Sequence, residues 1–135
     1  MVVDTSALLA YFDESDPAHA AALAVIDATD WCVVSPYVLA ELDYFAMSRL
    51  GRAAEITVLQ ELAEGDWELA QMTPEDLANA LNLLTMYDET IGLADASNLV
   101  LAERYRQTDI ATLDRRHFSY LPLPGKPPLT IVPSG

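Results

Sequence analysis

A handful of very short apolar runs limits what this chain can fold into more than any other feature. MVV opens the sequence, WCVV follows at 31–34, DIATL at 109–113 and LTIV at 129–132. WELAQM at 67–72 is a further, more polar strand candidate. The apolar runs are rich in β-branched residues and carry little polar alternation. Strands of that kind are buried on both faces. Helical stretches separate them. Ser6–Asp13 reads as a short helix, and a Ser-Asp-Pro entry signal at 15–17 leads into an Ala-rich one. VLAELDYFAMSRL follows Pro36 and stops at Gly51, RAAEITVLQELAE stops at Gly65, and TPEDLANALNLLTMYDET and LADASNLVLAERYRQ complete the set. Strands alternating with helices predict an α/β sandwich built on a parallel sheet.

A length of 135 residues predicts a single domain over 1–135, and 52% hydrophobic content excludes a disordered chain. No apolar run approaches the roughly 20 residues of a membrane span. MVVD reads as mature structure, with no basic region ahead of an apolar run. The lone Cys32 lies inside an apolar run and reads as a small buried hydrophobe, which suits a cytoplasmic setting. Charge is the outlying quantity: 21 acids against 7 bases give a formal net charge of -14. That balance argues against broad nucleic-acid binding and favours a basic partner or a cation site. Four of the bases, Arg104, Arg106, Arg115 and Arg116, lie in one stretch, and Arg49 and Arg52 form another pair.

Most acids, Glu55 and Glu61 among them, read as solvated helix positions. Four differ by context. Asp4 ends the first strand, and ligands of open parallel sheets sit beyond the carboxyl ends of strands. Taken alone, a helix cap explains it equally well. Glu41 lies among Tyr37, Val38, Tyr44 and Phe45, on a face that reads as core-directed, while Asp43 reads as solvated. Asp95 opens an apolar helix, where capping is again the simpler account. Asp114 ends the strand DIATL as Asp4 ends MVV. Together, acids brought to one edge of a parallel sheet would repel unless a cation neutralised them. Oxygen-only ligands favour Mg²⁺ or Mn²⁺ over zinc. Such a centre suits hydrolysis of a phosphodiester. The hydroxyls of Thr5, Ser6 and Thr112 neighbour the acids and are candidates to orient them.

DTSAL at the start, a helix carrying AEL, then GLADA and TLDRRHF together resemble the PIN-domain ribonucleases, and more narrowly the VapC toxins of bacterial VapBC toxin–antitoxin modules. The resemblance covers essentially the whole chain. It implies a three-layer α/β/α sandwich with strand order 3-2-1-4-5 and a Mg²⁺- or Mn²⁺-dependent endoribonuclease. It also implies a homodimer and inhibition by a cognate VapB-type antitoxin. The family's acids fall on Asp4, Glu41, Asp95 and Asp114, with Asp4, Asp95 and Asp114 as metal ligands. Arg115 and Arg116 are the RNA-binding candidates, with Arg49, Arg52, Arg104 and Arg106 behind them. His117 ahead of Phe118 departs from the commoner family ending, an acid followed by Phe. Neither His19 nor His117 is needed as a base.

A phosphoacceptor receiver domain is the alternative from another class, since it too binds Mg²⁺ with acids at strand ends. Lys126-Pro127 resembles its Lys-Pro pair but precedes the last strand, and a paired acid after the first strand is missing. A dehalogenase-type phosphatase needs Asp-x-Asp where this chain has Asp-Thr-Ser. A nucleotide-binding module needs a glycine-rich loop after MVV, which is absent. A pure interaction protein, its acids serving only a basic partner, is the remaining alternative.

Overall fold

The computed structural model describes residues 1–87, 91–114 and 130–133. Among these residues, five strands and six helices run in the order β1 (Val2–Val3), α1 (Thr5–Phe12), α2 (His19–Asp27), β2 (Cys32–Val34), α3 (Pro36–Leu50), α4 (Arg52–Glu64), β3 (Trp67–Leu69), α5 (Pro74–Tyr87), α6 (Leu93–Arg104), β4 (Asp109–Ala111) and β5 (Thr130–Val132). All strand pairs are parallel, in the order β3-β2-β1-β4-β5. This is the expected order, with the chain's first strand at the centre.

Period-two alternation splits the strand residues between two cores. Val2, Val33 and Ile110 face one core with Ala80 and Leu83 of α5 and Leu99 of α6. Val3, Val34 and Ala111 face the other with Leu8 of α1, Ile26 of α2, Leu42 of α3 and Leu62 of α4. Both faces of the sheet are therefore covered, which explains the apolar continuity of its central strands.

Local chemistry sets the helix ends. Ser35 Oγ caps α3 by accepting from the Tyr37 amide at 3.1 Å, with Pro36 in the first turn. Gly51 separates α3 from α4 at φ 96°, a left-handed value that a side chain would strain. Thr73 and Asp76 cap α5 reciprocally, at 3.0 and 3.1 Å. The Ser-Asp-Pro signal opens α2 later than expected. Asp16 Oδ1 instead accepts from the Ala18 amide at 2.8 Å, and the helix begins at His19. His19 itself packs, with Nδ1 2.8 Å from the Ala10 carbonyl.

One surface expectation is overturned. Glu55 is buried at 6% exposure, ion-paired to Arg52 at 2.8 Å, and its carboxyl is raised above its ordinary value by Asp43 and by burial. Arg104 is engaged structurally: its guanidinium reaches Asp76 and the Gln71 carbonyl, each at 2.7 Å. No helix among the described residues is long and apolar enough to cross a membrane.

Candidate active site

Parallel strands end at one edge of the sheet, and a cleft of about 360 Å³ opens there. Asp4, Glu41, Asp95 and Asp114 all line it, with Thr5, Ser6, Asp16 and Arg49. The four sequence-predicted acids are thus brought together from the turn between β1 and α1, from α3 and α6, and from the segment after β4.

Asp4 is the buried member, at 6% exposure. It occupies the N-cap position of α1, yet its side chain makes no capping hydrogen bond. The capping account of this residue therefore falls. Its two oxygens are engaged sideways: Asn98 Nδ2 donates to Oδ1 at 3.0 Å and Thr112 Oγ1 donates to Oδ2 at 2.9 Å. Burial pushes the Asp4 carboxyl up to about 6; Asp95 adds to the rise, and the Thr112 and Asn98 donors oppose it.

The hydroxyls form a directed network. Thr112 Oγ1 uses its proton on Asp4, so the 3.1 Å contact with Ser6 has the Ser6 hydroxyl as donor. Ser6 Oγ in turn accepts from the Leu113 amide at 2.8 Å, and Thr112 Oγ1 accepts from the Asp114 amide at 3.0 Å. These bonds tie the loop carrying Asp114 to the end of β1. Thr5 Oγ1 donates to Glu41 Oε1 at 2.7 Å and so fastens a third segment.

The remaining acids depart from their sequence-level description. Glu41 is exposed, because the buried face of α3 is Val38, Leu42 and Ala46. Of the apolar residues that share its face, only Val38 is buried, while Tyr44 is exposed and Tyr37 and Phe45 are half-buried; Asp43, expected to be solvated, is half-buried. Asp95 does act as a cap, with Oδ2 accepting from the Gly92 amide at 3.0 Å, and lines the cleft as well. Asp114 does not end its strand. β4 stops at Ala111, and the register Val3↔Ala111 makes Thr112, not Asp114, the counterpart of Asp4. Arg115, Arg116 and His117 lie outside the described residues. Asn98, fully buried behind Asp4, was missed by sequence reasoning. Its only signal was a polar residue one turn beyond Asp95 in an apolar helix.

The donor set is all carboxylate oxygen, as a hard cation requires. Among the described residues no three such side chains already stand close enough together to hold an ion directly. A cation that keeps several waters and takes one or two carboxylates, as Mg²⁺ commonly does, fits this spread of ligands.

The PIN domain model matches residues 1–122, and the chain belongs to that family. Within it, the chain is of the VapC type: it is 53% identical over 135 residues to Ribonuclease VapC26 of Mycobacterium tuberculosis, covering 98% of this chain and 100% of that protein. Among solved structures, VapC20 of Mycobacterium tuberculosis, a sarcin-ricin loop cleaving toxin, superposes with a TM-score of 0.82 at 19% identity, over 93% of this chain and 98% of that one. VapBC2 from Rickettsia felis, bound to a promoter DNA fragment, gives 0.66 at 16% identity over 96% and 95% of the two chains. FitAcB from Neisseria gonorrhoeae gives 0.59 at 16% identity over 87% and 90%. The receiver-like alternative finds no support in these matches.

Proposed function

We propose that the protein is the ribonuclease toxin of a VapBC-type module, a metal-dependent endoribonuclease that hydrolyses RNA phosphodiester bonds. The observation that carries this reading is the shared cleft of Asp4, Glu41, Asp95 and Asp114 in a chain 53% identical to a VapC ribonuclease. Asp4, Asp95 and Asp114 would hold Mg²⁺ or Mn²⁺, directly or through water. The bound cation supplies Lewis acidity, lowering the pKa of a water and offsetting charge on the phosphodiester. Glu41, steadied by Thr5, orients the attacking water. Thr112 and Ser6 keep Asp4 and the Asp114 loop in register.

RNA is held by Arg115, Arg116 and Arg49. Of these, Arg49 lies among the described residues, where it lines the cleft and stacks over Phe45 at 4.5 Å. It stands outside the two ion pairs found among those residues. The substrate class is a structured loop of transfer or ribosomal RNA. In the cytoplasm a cognate VapB-type antitoxin would neutralise the toxin, a basic segment entering the acid cleft. The Rickettsia felis VapBC2 and FitAcB structures support an antitoxin partner. Leu77 and Leu81, exposed a turn apart on α5, support a homodimer as the working form.

The test is to incubate purified protein with total RNA and Mg²⁺ or Mn²⁺, and to map the new 5′ ends. Discrete cleavage sites that vanish in EDTA are expected. Full activity in EDTA, or wild-type cleavage by Asp95→Asn, would sink the reading.

A further inference from the structure

Asn98 stands on α6 one turn beyond Asp95 and is completely enclosed. Ala96, Leu99, Leu101 and Ala102 on the same helix are buried and apolar. An amide in such surroundings is unfavourable unless its polar atoms find partners. Nδ2 has one, Asp4 Oδ1 at 3.0 Å, while Oδ1 has none. Turning the amide over would set a carbonyl oxygen against a carboxylate. Its orientation therefore follows the need of Asp4 for a donor, and leaves its own oxygen unsatisfied.

Thr112 holds the other Asp4 oxygen from the segment after β4. Two donors on separate elements thus define the plane of the carboxylate. The carboxylate so held lines the cleft, where a ligand can meet it. Resting on the metal-dependent reading above, we propose that Asn98 is a positioning residue for the cation site. It fixes the Asp4 carboxylate in the orientation that meets the ion, and touches neither ion nor RNA.

The experiment titrates the full-length protein with Mn²⁺ and reads the free ion by electron paramagnetic resonance. Asn98→Leu fills the space without a donor, and Asn98→Ala removes the donor without overpacking. Circular dichroism and thermal melting identify the folded variants, and Asp4→Asn serves as the control. The wild type is expected to bind and Asp4→Asn to lose binding. Both Asn98 variants should bind roughly tenfold or more weakly, the effect of removing a group that orients a ligand. Wild-type affinity in either folded Asn98 variant overturns the inference and leaves the metal reading standing. A wild-type protein that binds no Mn²⁺, or Asp4→Asn binding as tightly as wild type, overturns both.

Discussion

Two acid-lined clefts lie at opposite edges of the sheet, and they are built differently. The cleft at the carboxyl edge holds Asp4, Glu41, Asp95 and Asp114. At the amino edge, beside the starts of β2 and β3, Asp27, Asp30, Glu61 and Asp66 line a cleft of about 250 Å³. These acids are exposed. Two of them simply accept from aromatic partners, Asp27 from the Tyr11 hydroxyl at 3.2 Å and Glu61 from Trp67 Nε1 at 3.4 Å. Asp4 is enclosed and served by donors from α6 and from beyond β4. Acidity alone therefore does not distinguish a site from a solvated rim. Enclosure with neutral donors and, among the described residues, no paired base does, because desolvating a carboxylate is unfavourable and such an arrangement needs a reason.

The largest expected effect separates the two clefts by activity. Asp4→Asn should lower RNA cleavage by more than about 100-fold, beyond what orienting groups are worth. Asp27→Asn with Asp30→Asn should leave the rate within about twofold, as expected of exposed positions. Equal losses at both edges, in a gel-based cleavage assay, would erase the distinction.

Stability against pH probes the same contrast without metal. The raised carboxyl means that the folded state holds the Asp4 proton more tightly than the unfolded chain does. Its contribution is then most favourable below about pH 4 and is lost as pH rises through about 6. Asp4→Asn cannot titrate, and the Asn98 amide can turn to meet it. Urea unfolding in EDTA should show the variant gaining on the wild type by on the order of 2–3 kcal/mol between pH 4 and pH 7.5. A constant difference across that range would contradict the burial of an ionised Asp4.

A smaller effect follows from Thr112→Val, which keeps the shape and removes the donor to Asp4 Oδ2. Leaving a buried acceptor unpaired costs about 1–3 kcal/mol, so chemical denaturation should register a loss in that range. Cleavage should fall about tenfold. The smallest effect is expected at the other edge. Tyr11→Phe removes one exposed hydrogen bond and should change stability by less than about 0.5 kcal/mol.

Much of the architecture was readable in local terms. Gly51 and the Thr73–Asp76 pair mark helix ends through backbone chemistry that needs no distant partner. The apolar strands announce their burial by composition. Glu41 was misjudged because an apolar helix face need not face the core: of the residues that share its side, Tyr44 is exposed and Tyr37 and Phe45 are only half-buried. Glu55 was misjudged for a related reason. An acid on an amphipathic helix is normally solvated, and only the packing of α4 against α3 encloses this one. Asp114 follows a strand-like run, but the register that ends β4 at Ala111 is set by pairing with β1 and β5.

The residues themselves dictate the alternation of strands and helices, because periodicity and capping act within a few positions of the chain. They also mark which acids stand out of place. The surroundings of Asp4 are a tertiary matter. Asn98 and Thr112 reach it across 94 and 108 positions of sequence, and no local rule connects residues so far apart. Folding alone sets them beside one carboxylate and turns an ordinary helix-cap aspartate into a buried, raised and oriented one.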